Sequence, residues 1–153
     1  MDTQLAKESF NYSNEPGNEW IIMIVKCHKI PSVNSQYNHG KHGQLYRSPE
    51  LVQFEQELKD QIVLCDPVKL CPWIKPDGLY DVTFDFIMNR SFWRRDVSNC
   101  VKGTEDSIFR CLGVDDSRVL RHFDSKTYLK DAEFERVIFK IQPSNHKWNR
   151  LND

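Results

Sequence analysis

Apolar residues fall along the chain in two rhythms, and the changes of rhythm mark its elements. Residues 20–25, Trp-Ile-Ile-Met-Ile-Val, are apolar throughout, which predicts a central strand covered on both faces, with residues 26–30 extending it. Residues 79–88 alternate instead. Tyr80, Val82, Phe84, Phe86 and Met88 share one face, and the other is mostly polar, with Asp81 and Asp85 as surface charges. Two stretches repeat at helical spacing. Leu51, Phe54, Leu58 and Ile62 form one stripe behind Ser48-Pro49-Glu50, a sequence suited to cap and start a helix. From Asp96 or Ser98 to Leu112 a second helix turns Val101, Thr104, Ile108, Cys111 and Leu112 inward, and Asn99, Lys102, Asp106 and Arg110 form a separate polar stripe. Gly113 is its natural stop. Further strands are predicted over residues 118–123 and 133–141.

Two stretches break these rhythms. Residues 65–78 carry Pro67, Pro72 and Pro76 and form a connector. Residues 31–47 form a long polar loop, a length that calls for a role such as substrate contact. The order of elements predicts a single α/β (α+β) domain, a mixed sheet of about four to five strands packed against two main helices. Its bounds are expected at 19–142, with a flexible leader over 1–18 that ends in Pro16-Gly17 and a flexible tail over 143–153.

Composition fits one folded unit. The chain has 153 residues, 39% of them hydrophobic, enough for one core but not for two. Its net charge of −1 argues against a uniformly basic coat. The balance is nevertheless uneven: between Arg90 and Lys130 nine Lys or Arg face six Asp or Glu, which leaves room for a local basic surface. Five cysteines, an odd number without a C-x-x-C pair, disfavour a disulfide framework and a zinc knuckle. They read as free thiols of a reducing cytoplasm. No signal peptide is expected at the N-terminus, and no apolar run is long enough for a bilayer.

The chemistry concentrates in Arg94-Arg95-Asp96-Val97-Ser98-Asn99-Cys100-Val101-Lys102 and in Gly113-Val114-Asp115-Asp116-Ser117, acids at both ends of one helix with a lysine about one turn inside it. Phosphodiester hydrolysis calls for carboxylate oxygens to hold Mg²⁺ and a cation to meet charge growing on the phosphoryl oxygens. An Asp before a helix and an Asp pair after its closing Gly serve equally as cap and turn, so spacing alone leaves both readings open. Ser98 also reads as the cap of this helix. Arg90, Arg94 and Arg95 around Trp93 suit a nucleic-acid contact or a solvated loop, and Lys126 and Lys130 flank the same surface or an exposed hairpin.

The order of these pieces resembles the RusA-like Holliday junction resolvases, whose signature runs D-x-D-N-x-x-K-x-x-x-D and then D-D-[AS]-x. Asp96, Asn99, Lys102, Asp106, Asp115, Asp116 and Ser117 fall on that pattern, and Ile30-Pro31-Ser32-Val33-Asn34 is similar to the family's P-P-S-x-N. The resemblance spans roughly residues 20–141 and implies a homodimeric nuclease, of phage or prophage type, that places paired symmetric nicks in four-way junctions and related branched DNA. It implies Mg²⁺, with Mn²⁺ as a substitute, on Asp96 and Asp116 with help from Asp115, and no small-molecule cofactor. It further implies Lys102 at the scissile phosphate and Asn99 and Asp106 in support. Asn34, Arg94, Arg95 and Lys126 are the expected DNA contacts. Ser98 departs from the family, standing where the signature has its second aspartate. A neighbouring carboxylate (Asp115, Asp106 or Glu105) or a water would have to compensate. The alternatives are a junction-binding protein that has lost cleavage and an unrelated α/β interaction domain.

Overall fold

The computed structural model describes residues 9–32, 37–43, 45–130 and 133–146. They form one five-stranded mixed sheet with two main helices, α1 (Pro49–Cys65) and α3 (Val97–Leu112), and a short α2 (Pro67–Leu70) that directly follows α1. The strands are β1 (Phe10–Glu15), β2 (Asn18–Cys27), β5 (Tyr80–Met88), β6 (Val119–Tyr128) and β7 (Glu135–Pro143), in the spatial order β1-β2-β7-β5-β6. All neighbours are antiparallel except β5 and β6, whose parallel pairing is made by the crossover through α3. A separate hairpin, β3 (Tyr37–His39) with β4 (Leu45–Arg47), stands within the long polar loop.

Register explains the core. Val25, Val137 and Phe86 form one rung, Met23, Phe139 and Phe84 the next, and Ile21, Ile141 and Val82 the third. All nine are buried, so they line the face that the helices cover. Leu51, Phe54, Leu58 and Ile62 of α1 and Cys100, Ile108 and Leu112 of α3 close that core. Gln61 of α1 completes β2 beyond the end of β1. It accepts from Lys26 N (2.9 Å) and donates to Lys26 O (2.7 Å), replacing a missing strand neighbour.

Several expectations change. The apolar run in β2 is not covered on both faces: Ile24 is 36% exposed, because helices lie on one side only. The leader expected over residues 1–18 contains β1, so the ordered chain begins before Glu19. Pro16-Gly17 is the turn of the β1–β2 hairpin, with Glu15 opposite Asn18 and Gly17 at φ 82°. Residues 1–8 lie outside the described part. At the other end β7 continues to Pro143, and Ser144 N donates to Leu79 O (2.8 Å), so Pro143, expected in the tail, belongs to the sheet and Ser144 is tied to the residue before β5; residues 147–153 lie outside the described part. Asp81 is no surface charge. It is 2% exposed and paired with Arg121 of β6, whose hydrogen bond holds the carboxyl below its ordinary range although burial opposes this.

Candidate functional site

Helix α3 positions the chemistry. Its N-cap is Asp96, in extended backbone, and the helix closes at Gly113, whose φ of 69° suits glycine. Ser98, expected as the cap, is instead an exposed residue in the second helical position. The competing candidate two residues earlier takes the role because Asp96 O already receives Asn99 N (3.1 Å). The Asp96 side chain makes no capping hydrogen bond and is exposed at the positive end of the helix dipole.

On the flank of α3, Lys102 Nζ donates to Asp106 Oδ1 at 3.0 Å, one turn along, and to Asp116 Oδ2 at 2.8 Å. Asp116 reaches back because Gly113 reverses the chain and a 3-10 turn (Asp116–Arg118) follows. Asp115 caps that turn, accepting from Ser117 N at 2.8 Å. The charges are unequal within the cluster. Burial and the hydrogen bond shared with Asp116 hold the Asp106 carboxyl above its usual range. Lys102 and Asp106 hold Asp116 below it, and the two carboxylates push the Lys102 ammonium up. Asp106 therefore takes a proton first, and Asp116 stays ionised.

Of the residues expected at the site, the structure brings Lys102, Asp106 and Asp116 into contact, with Asp115 next in sequence. Asp96 lies ten residues of helical rise from Asp106, about 15 Å along the axis, and no described hydrogen bond or ion pair joins it to the cluster. Asn99 is half-buried on the helix between them. Among the described residues no three His, Cys, Asp or Glu side chains form a ready-made metal cage. The donor set still suits Mg²⁺. Asp115 and Asp116 offer hard carboxylate oxygens beside the Lys102 cation, and Mg²⁺ is commonly held by one or two carboxylates together with water and substrate phosphate.

The expected DNA contacts divide. Arg94 is exposed beside Trp93, itself 87% exposed, in a 3-10 turn (Phe92–Arg94). Arg95 cannot serve as a surface contact: it is 4% exposed and paired with Glu135, which is 1% exposed. Its Nη1 also donates to Ile30 O (2.8 Å), and Glu135 accepts from Ile30 N (2.8 Å) and Asn89 N (3.0 Å). Lys126 is half-buried on the inward face of β6. Its ammonium is committed to Phe92 O (2.8 Å) and Arg95 O (3.1 Å) and lies 4.3 Å from the centre of the Phe92 ring. Both cations build the loop before Asp96 rather than face a ligand. Asn34 lies outside the described residues.

Two features escaped the sequence reading. Glu135 shares the inward parity of Val137, Phe139 and Ile141, and an acid at such a position signals a buried partner. His122 bridges Glu105 Oε1 (3.3 Å) and Asp124 Oδ1 (3.5 Å) between β6 and α3, and these acids raise its pKa to about 9, Asp124 most. No described helix is long and apolar enough to cross a membrane. No family model matches the chain, and no curated protein is significantly similar to it.

Proposed function

We propose that the chain is a Mg²⁺-dependent endonuclease that cuts four-way junctions and related branched DNA, acting as a homodimer that nicks symmetrically. The observation that carries this reading is the Asp106–Lys102–Asp116 cluster, with an uncommitted Asp96 at the head of the same helix. This arrangement is chemically suited to phosphodiester hydrolysis, and its order resembles the resolvase signature. Asp116 would hold the metal with Asp115 beside it, and Asp96, set apart from that cluster along α3, would reach the same ion through water or the bound phosphate. When bound, Mg²⁺ supplies charge neutralisation at the phosphate and a more acidic attacking water.

The remaining work belongs to the side chains. Lys102 presents a permanent cation to the phosphoryl oxygens, and Asp106 anchors that ammonium so that it is aimed before substrate arrives. Asp116 stays ionised for a cation because Lys102 holds its carboxyl low. Arg94 and Trp93 offer charge and a stacking surface to the nucleic acid just ahead of Asp96.

A second reading is favoured by Ser98, which offers a hydroxyl where a second aspartate would strengthen the metal site. The chain would then bind junctions without cutting them. Asp96→Asn and Asp116→Asn separate the two. For a nuclease each variant loses cleavage by at least about 10²-fold and keeps junction affinity within about twofold, since affinity comes mainly from phosphate contacts elsewhere. Unchanged cleavage in both variants would remove these carboxylates from the chemistry.

A further inference from the structure

We propose that the pocket between α1, α3 and β4 is a second phosphate-binding site that tracks the backbone of one DNA arm toward the Asp106–Asp116 cavity. The pocket has a volume of about 290 Å³, and Arg47, Lys59 and Arg110 line it around Glu55. Three cations about one acid give a local charge of +2, in a chain whose 21 basic and 22 acidic residues otherwise nearly cancel.

Glu55 gives this cluster its form. Its side chain is 15% exposed and pairs with Arg47 and, at 3.8 Å, with Arg110 Nη1. One carboxylate thus holds two guanidinium groups that are themselves 46% and 64% exposed. A guanidinium has five donors and spends few of them on one carboxylate, so both arginines keep donors for an anion. Holding them in place beforehand lowers the ordering cost of binding. Lys59 is exposed on the same wall.

Position decides the occupant. Arg110 also lines the neighbouring cavity of about 190 Å³ that contains Asp106 and Asp116. The two cavities therefore share a wall, and a phosphodiester chain seated on Arg47, Lys59 and Arg110 would arrive at the carboxylate cluster. A repeating anion of this kind is the chemistry of a nucleic-acid backbone. This inference rests on the nuclease reading for its choice of DNA.

The test is fluorescence anisotropy of a labelled four-way junction in EDTA across a salt series, for the intact chain, Lys59→Gln, Arg110→Gln and the double variant. Lys59 is exposed and its replacement spares the fold; a melting curve checks Arg110→Gln. Each single variant is expected to weaken binding about threefold to tenfold at low salt and to flatten the plot of log K against log salt by about 1. Unchanged affinity and slope in the double variant, with the intact chain still binding, would overturn this pocket and leave the nuclease reading standing. If the intact chain binds no junction at all, both fall together.

Discussion

Lys102 meets two carboxylates at once, and this makes it the most informative single side chain of the candidate site. Lys102→Ala removes the permanent cation and leaves Asp106 and Asp116 to repel each other. It is expected to lower cleavage by about 10²–10³-fold with little change in junction affinity, measured by single-turnover cleavage beside anisotropy. His122 answers to pH instead. Its folded pKa of about 9 lies above the ordinary 6.5, so its ion pairs stabilise the fold fully below pH 6.5 and are lost as pH rises through 9. The melting temperature should fall over that window, and His122→Gln should flatten the dependence. A rise in stability across the window would contradict the assignment of His122 as a clamped cation. Spacing places Asp106 one turn from Lys102 on the same stripe, but the contacts of Lys102 with Asp116 and of His122 with Glu105 could not be read from it, because each joins residues from different elements.

Elements with strong local signals were legible, and those held by partners were not. Helix α1 begins where Ser48-Pro49-Glu50 predicts, with Ser48 Oγ accepting from Leu51 N at 3.1 Å. Ser48→Ala should cost about 1 kcal/mol in chemical denaturation. Strand β5 was equally plain from its alternation. Strand β1, by contrast, reads Phe-Asn-Tyr-Ser-Asn-Glu, too polar to announce itself, and exists because β2 offers it an edge. Strand β6 runs to Tyr128, past the expected 123, because its inward positions carry His122, Asp124 and Lys126, a polar set that breaks the apolar rhythm; His122 meets Glu105 of α3 and Asp124, and Lys126 meets the loop before α3. In the connector, Gly78 leaves room for the Tyr80 hydroxyl: a Cβ there would lie 2.2 Å from it, and that hydroxyl accepts from Lys75 N at 2.7 Å. Gly78→Ala should therefore destabilise by about 1–3 kcal/mol through overpacking, checked by the same denaturation.

At the scale of the whole molecule, the buried Arg95–Glu135 pair ties together the end of β5, the start of the long polar loop at Ile30, the head of β7 and the residue before Asp96. Glu135→Ala would strand a buried guanidinium and free two backbone N–H groups. It should cost about 3–5 kcal/mol, read from urea unfolding; a loss below about 1 kcal/mol would show that the hub is not structural. The class of fold was legible because the sheet and the two helices each carry a clear period. The candidate site was legible as a set of residue types on one helix, but its contacts were not, since the chain reversal at Gly113 decides which carboxylate meets Lys102. Arg95 and Lys126 show the limit most clearly, for a cation beside a motif reads alike whether it faces solvent or a buried carbonyl. The most direct measurement of the central claim is incubation of the intact chain with a labelled four-way junction in Mg²⁺ or in EDTA, beside linear duplex. Paired symmetric nicks confined to the junction and to Mg²⁺ are expected; a junction that is bound yet left intact in Mg²⁺ would contradict a nuclease.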